Sequence, residues 1–267
     1  MFMLIATMAH AMADEVNRPI KSLVTMDQLV STLEAAGSMR VTDLATEIDR
    51  PQSVVHDYLS TLSALGYVIQ TDTGAYQLSF RYLEIGGTIR SQTTLYDVAK
   101  PEITRLAQKS ATALVTLSTE QRGQCVALAV IQGEQNISYD FTAGTRFDMH
   151  SSGVGKAMLA EYSSQRVEEI IDRHGLTART EHTITDRDAL FSELDHITQR
   201  DVAYDREEYR LGMATISSAL TTATGTVLGG VSVTIPAHVL RDESVIESLK
   251  TKLLATTNVI ELNIASE

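Results

Sequence analysis

What this 267-residue sequence lacks narrows its chemistry before any motif is considered. It holds a single cysteine, Cys125, which excludes an intrachain disulfide framework and any zinc site built on several thiolates. Cys125 sits in the strand-like run Gln124-Cys125-Val126-Ala127-Leu128, where a small buried hydrophobe is the commoner role and a reactive thiol the rarer one. A reducing, cytoplasmic setting fits that cysteine usage. No apolar stretch approaches the roughly 20 residues needed to cross a bilayer, so no membrane partner is expected. Residues 1–13 are apolar, too short to span, and lack the basic start of a secretory signal. Met12, followed by Ala13-Asp14-Glu15, is an alternative start, and residues 1–17 are expected to be disordered.

Cationic charge is scarce too: the chain has six lysines and a net charge of -12. That balance speaks against a nucleic-acid partner, because phosphate contacts need Lys and Arg. The acid is unevenly spread, however. Residues 18–90 carry six bases and eight acids, Asp14 and Glu15 add two acids, and the remaining -8 lies beyond Arg90. An acidic, lysine-poor surface suits a halophilic protein. At molar salt the Debye length shrinks to about 3 Å, so a DNA reader there depends on direct contacts.

Enzyme signatures are missing as well. A phosphate loop ending in Gly155-Lys156 would need glycine where His150 stands and Ser or Thr where Ala157 stands. His174, His182 and His196 have no metal-ligand spacing, and there is no Gly-x-Ser-x-Gly elbow. No catalytic residue, metal or cofactor is therefore assigned. A small-molecule sensor with enzymatic activity is the alternative reading, which turnover of candidate metabolites by purified protein would favour.

What the chain does contain begins at Met26. Met26, Leu29, Val30 and Leu33 recur at helical period, as do Val41, Leu44, Ala45 and Ile48. Gly37 stops the first helix, and Thr42-Asp43 offers a capping hydroxyl and a first-turn carboxylate for the second. Asp49-Arg50-Pro51 breaks the chain, and a third helix is expected from about Gln52. Its inner face would be Val55, Tyr58, Leu59, Leu62 and Leu65, leaving Gln52, Ser53, His56, Asp57, Ser60 and Thr61 outward, with Gly66 as its end. Two β-prone runs, 67–69 and 75–78, flank Thr71-Asp72-Thr73-Gly74 and predict a hairpin. Three helices and a wing in this order predict a winged helix-turn-helix over 18–80. A plain three-helix packing unit would show the same periodicity but has no reason to add the hairpin. The DNA contacts expected are Gln52, Ser53 and His56 for bases and Arg50 for a phosphate, with Arg40 also among the DNA-binding residues. Symmetric readers bind paired half-sites, so a double-stranded operator and a homodimer or tetramer are expected.

Beyond the wing, Leu83-Glu84-Ile85-Gly86 and Ala99-Lys100-Pro101 follow Gly66-Tyr67 and Tyr76-Gln77-Leu78. Later come Met149 to Ala160 (with Ser152-Gly153-Val154-Gly155-Lys156-Ala157), Asp205 to Met213, and Gly230-Val231-Ser232-Val233-Thr234-Ile235-Pro236. In that order these blocks resemble the IclR-type transcriptional regulators. Asp57 departs from an arginine that the family often carries in its recognition helix, and residues 213–218 lack a cysteine found in some members. The resemblance implies an α+β chain: the winged helix-turn-helix, a linker helix over 81–95, and a GAF-like α/β effector-binding domain with an antiparallel sheet over 96–267. The pattern of the second half agrees. A helix over 96–110 precedes strands near 113–118, 124–131 and 136–141, helices near 154–161, 164–173 and 187–199, strands near 214–221 and 226–235, and a final helix from about 242.

Three features of that half suit a small-molecule pocket. Ser152-Gly153-Val154-Gly155 opens a helix, whose bare N-H groups receive a carboxylate or phosphate, although tight turn packing would leave the same residues. Ser232 and Thr234, two apart in an apolar strand, put hydroxyls on one face, where their partner is either a ligand or the backbone. Asp205, Glu207 and Glu208 make an acidic run, for which a solvated face is the commoner explanation. The resemblance implies that Gly153, Val154, Asp205, Met213, Thr215, Ser232 and Thr234 line an effector cavity. These groups favour an organic or sugar acid as the small-molecule effector.

Overall fold

In the computed structural model, which describes residues 18–110, 114–133 and 141–266, the early apolar periodicities become three helices. These are α1 (Lys21–Ala36), α2 (Val41–Glu47) and α3 (Gln52–Ala64). Leu29, Leu33, Leu44, Ile48, Val55, Leu59 and Leu62 meet in one core, closed by Val68 and Tyr76 of a hairpin. The hairpin is β1 (Val68–Gln70) against β2 (Tyr76–Leu78), with Val68 opposite Leu78. Its turn closes through the Gly74 amide on the Thr71 carbonyl at 2.9 Å, with Gly74 at φ 80°.

Three local expectations need correction. Leu65 is not on the inner face of α3 but 56% exposed, because the helix ends at Ala64 and the chain turns at Gly66. The Thr42 hydroxyl does not cap α2; it points to the Asp43 carboxylate at 3.1 Å, and the helix already begins at Val41 behind Arg40. The linker helix is shorter than 81–95: α4 (Arg81–Ser91) stops before Gln92-Thr93, and α5 (Thr94–Lys109) starts anew. The chain divides into two compact units between Ile89 and Arg90, inside α4. The expectation for residues 1–17 lies outside the described residues.

The second unit is built on a six-stranded antiparallel sheet, in the order β5-β4-β3-β8-β7-β6. Its strands are β3 (Leu114–Gln121), β4 (Gln124–Gln132), β5 (Arg146–Asp148), β6 (Ala203–Arg206), β7 (Met213–Thr221) and β8 (Val227–Pro236). Between β5 and β6 the chain forms α6 (Gly153–Ala160), α7 (Ser164–His174) and α8 (Arg187–Arg200), and α9 (Glu243–Ile264) closes it. Of the strand expected near 136–141, residues 136–140 lie outside the described residues and Phe141 is not in a strand; β5 and β6 were not foreseen.

Strand pleating divides the sheet into two chemically different faces. On one, Val115, Leu117, Ala214, Ile216, Val231 and Val233 pack with Ala99, Ile103 and Leu106 of α5 and Leu249, Leu253 and Ile260 of α9. The alternate residues Thr116, Thr215, Ser217, Ser232 and Thr234 turn to the other face. There Val154 and Met158 of α6, Val167 and Ile170 of α7 and Leu190 and Leu194 of α8 form a second core with Phe147. Cys125, fully buried in it, is the small hydrophobe expected, and burial pushes its thiol well up.

Candidate functional site

On the first unit, the five expected DNA-contacting side chains are all exposed. Gln52, Ser53 and His56 lie on the outer face of the first half of α3, opposite Val55 and Leu59. Arg50 is set just before that helix by a turn in which Asp49 takes φ 50° and the Arg50 amide bonds the Ala45 carbonyl at 3.0 Å. Arg40 stands at the start of α2. The His56 ring lies 3.8 Å from the Asp57 carboxylate, so the one titratable group among the three faces an acid.

In the second unit a cavity of about 380 Å³, mouth included, opens between the hydroxyl-bearing face of the sheet and the start of α6. Thr116, Ser152, Gly153, Val154, Asp205, Thr215, Ser232 and Thr234 line it together with Phe141, Phe147 and Tyr209. Register explains the convergence. Asp205 pairs with Thr215 across β6 and β7, Thr215 with Thr234 across β7 and β8, and Ser232 with Thr116 across β8 and β3. Residues directly opposite each other share a face, so two rows of polar groups lie side by side. The Thr215 hydroxyl receives a bond from Ser217 at 3.4 Å. Those of Thr116, Ser232 and Thr234 have no partner among the described residues; each residue is buried as a whole, but its hydroxyl opens on the cavity rather than being sealed in the core. Buried hydroxyls normally find a hydrogen bond.

The opposite wall is a helix start brought unusually close. Ser152 caps α6, its hydroxyl accepting from the Gly155 amide at 3.2 Å and donating to the Asp148 carbonyl at 3.1 Å. The Lys156 amide bonds the Ser152 carbonyl at 2.9 Å. The amides of Gly153 and Val154 are left with no acceptor among the described residues, as the first N-H groups of a helix are. A Cβ on Gly153 would collide with the Thr215 hydroxyl and stand 2.7 Å from that of Ser217 and 3.4 Å from the Asp205 amide. A Cβ on Gly155 would enter the backbone of Met149. Gly153 lets α6 reach the sheet, and Gly155 lets the Met149 backbone pass against the helix's first turn.

Asp205 is 4% exposed and accepts from the amides of Glu208 at 2.7 Å and Tyr209 at 3.3 Å. Burial, aided by the neighbouring Glu208 carboxylate, pushes its pKa up to about 7 against the pull of those two amides and of Lys156. Behind it lies an ion network. Lys156 of α6 is fully buried, with its Nζ 2.5 Å from Glu208 Oε1 and 3.7 Å from Glu193 Oε1, and Glu193 also takes Arg200 at 2.7 Å. Glu208 Oε2 has no partner. At the mouth, Phe141, Phe147 and Tyr209 meet edge-on with centroids 5.2–6.4 Å apart, and Arg179 lies over the Tyr209 ring while pairing with Asp148 at 2.7 Å. The acidic run is thus not a solvated face: Asp205 and Glu208 are interior, and Glu207, half-buried, accepts from the Gly212 amide at 2.7 Å.

The structure therefore brings Gly153, Val154, Asp205, Thr215, Ser232 and Thr234 into one cavity. Met213 does not line it; it stands half-buried at the start of β7, opposite Pro236. Thr116, Ser152, Phe141, Phe147 and Tyr209 complete the lining and were not among the expected site residues. Of these, Thr116 had a readable signal, a hydroxyl two residues from that of Ser118 in the apolar start of a strand, the same spacing as Ser232 and Thr234; the rings had none without the tertiary contacts. Among the described residues no group of three or more His, Cys, Asp or Glu could hold a metal ion, and no helix is long and apolar enough to cross a membrane.

Comparison with known proteins adds the following. A family model described as "Bacterial transcriptional regulator IclR C-terminal" matches residues 88–262, and one for the IclR helix-turn-helix domain matches residues 28–72. The chain is 26% identical over 250 residues to the probable HTH-type transcriptional regulator ArcR of Halobacterium salinarum, covering 92% of this chain and 95% of that one. It is also 26% identical over 216 residues to the acetate operon repressor of Salmonella typhimurium, covering 80% and 79%. The crystal structure of Thermotoga maritima IclR has a TM-score of 0.76 at 23% identity, covering 92% and 97%. An IclR homologue from Microbacterium hydrocarbonoxydans, complexed with 4-hydroxybenzoate, has a TM-score of 0.75 at 18% identity, covering 91% and 100%.

Proposed function

The chain belongs to the IclR family of transcriptional regulators, with that family's helix-turn-helix and C-terminal domain, and on that premise we propose that its operator binding is set by a small organic or sugar acid held in the cavity above the sheet. One observation carries this reading: the Gly153 and Val154 start of α6 lines one cavity with the hydroxyl-bearing residues Thr116, Ser232 and Thr234, which have no hydrogen-bond partner among the described residues. A helix start receives an anion, and the hydroxyls bond its remaining oxygens or a hydroxyl of the ligand. The neighbour that holds 4-hydroxybenzoate supports an acid of this size.

Residues 18–80 would read DNA, with Gln52, Ser53 and His56 at base edges and Arg40 and Arg50 on phosphates. Residues 81–95 would join them to the effector-binding part, 96–267. α4 buries none of its residues, and Phe80, Leu83 and Ile89 are 88%, 70% and 63% exposed. An apolar strip of this kind needs a cover, so the protein would work as a homodimer paired through α4 or as a tetramer. Acidity and few lysines favour a halophilic setting, and the Halobacterium relative agrees.

The test is calorimetry with a panel of benzoate, 4-hydroxybenzoate, pyruvate and gluconate on wild type and on the double variant Ser232→Ala with Thr234→Ala. The variant is expected to lose acid binding and to retain operator DNA. Undiminished affinity in the variant would remove this cavity as the effector site.

A further inference from the structure

The place where an acid fits best is also the place least able to neutralise it. Among the described residues lining the cavity there is no Lys, Arg or His, and the one ionisable group beside the hydroxyls and amides is the Asp205 carboxyl, with the Tyr209 ring at the mouth. The nearest cations are already engaged. Lys156 and Arg200 are matched by Glu208 and Glu193, and Arg179 by Asp148. An anion bound at the Gly153 and Val154 amides would share the cavity with the Asp205 carboxyl, which lines the same space and is 4% exposed. Two carboxylates that share one largely buried cavity without a cation disfavour each other's ionisation.

We propose that the cavity admits an ionised carboxylic acid only together with a proton on Asp205, so that acid and proton bind as a pair and the Asp205 hydroxyl becomes a donor to the ligand. This rests on the effector reading above. Around Asp205 the effects that favour a proton outweigh the pull of the Glu208 and Tyr209 amides and of Lys156. Glu208 from the following turn repels its charge, and Lys156 from α6 is held by Glu208 and Glu193 rather than by Asp205. Tyr209 presents its amide, with Arg179 and Asp148 paired beyond its ring. Burial and Glu208 hold the Asp205 carboxyl near neutrality before any ligand arrives.

The experiment is titration calorimetry on the full chain with benzoate, 4-hydroxybenzoate, pyruvate and gluconate, all ionised from about pH 6 to about pH 9, in two buffers of different ionisation enthalpy. Above neutrality the acids should bind with net uptake of one proton, and affinity should fall about ten-fold per pH unit. Asp205→Asn, which keeps a donor and carries no charge, should bind the same acids with flat pH dependence and more tightly than wild type at about pH 9. Proton counting on the wild type stands whether or not the variant folds. Acids bound equally at all pH values without proton uptake would overturn this inference and leave the effector site intact. Failure of every acid to bind either protein at any pH would overturn both readings.

Discussion

Replacing Lys156 by Met tests how much of the second unit hangs on one buried charge. The ammonium is fully buried, 2.5 Å from Glu208 Oε1, and Glu208 is 6% exposed with its second oxygen unpartnered. Removing the cation strands a carboxylate that neither water nor any other cation reaches, since Arg200 is taken by Glu193 at 2.7 Å. Breaking a buried pair from one side typically costs about 3–5 kcal/mol, a large share of the roughly 5–15 kcal/mol that stabilises a domain. Lys156→Met should therefore lower the unfolding free energy, obtained from urea titrations followed by far-ultraviolet circular dichroism, by that amount. Adding Glu208→Met removes the stranded charge and should recover most of the loss, because apolar residues of similar volume replace buried ion pairs at little cost. The loss should persist at molar KCl, where an exposed pair would be screened away. A single-variant loss below about 1 kcal/mol, or a double variant no better than the single one, would refute the reasoning.

Asp205→Asn should change how stability depends on pH. The folded carboxyl is raised to about 7 from 3.8, so the folded state binds the proton more tightly. Wild type should then gain most over the variant below about pH 4 and lose that advantage, about 4 kcal/mol at most, as pH rises to about 7, with no change above. Gly155→Ala should destabilise by about 1–3 kcal/mol through overpacking against Met149, whereas Gly86→Ala in exposed α4, with nothing within 4 Å, should be neutral or stabilising in thermal melts. Arg50→Ala should weaken binding to all DNA sequences and reduce the slope of log affinity against log salt by about 1 in filter or anisotropy titrations. If the acidic surface reflects a saline setting, the melting temperature should rise from low salt to multimolar KCl.

Much of the fold was legible because it rests on local period. The stripes of α1 and α3, the Gly74 turn and the spacing of Ser232 and Thr234 each carry their structural consequence within a few residues. The misreadings also have local causes. Leu65 continues a helical stripe in sequence, but the helix ends before it, so its side chain falls outside the core. β6 has only four residues, too few for alternation to stand out. Asp205 and Glu208 read as a surface run because burial of an acid depends on partners distant in sequence: Lys156 lies 52 residues before Glu208. Thr116 belongs to the site only through its register with Ser232, and Phe141, Phe147 and Tyr209 only through the meeting of three separate segments.

The two-faced pleat of the sheet has a consequence for signalling. Thr116 stands between Val115 and Leu117, Ser232 between Val231 and Val233, and Thr215 between Ala214 and Ile216. In each trio the outer two residues support α5 and α9 while the middle one meets the cavity. The cavity hydroxyls and the bed of α5 are therefore separated only by the thickness of a single strand, with no loop between them. The first turn of α5, with Leu95 and Tyr96 seated in that bed, lies only Gln92 and Thr93 away from α4. The cavity face of the sheet and α4 are thus separated by the thickness of one strand, α5 and the two residues Gln92 and Thr93.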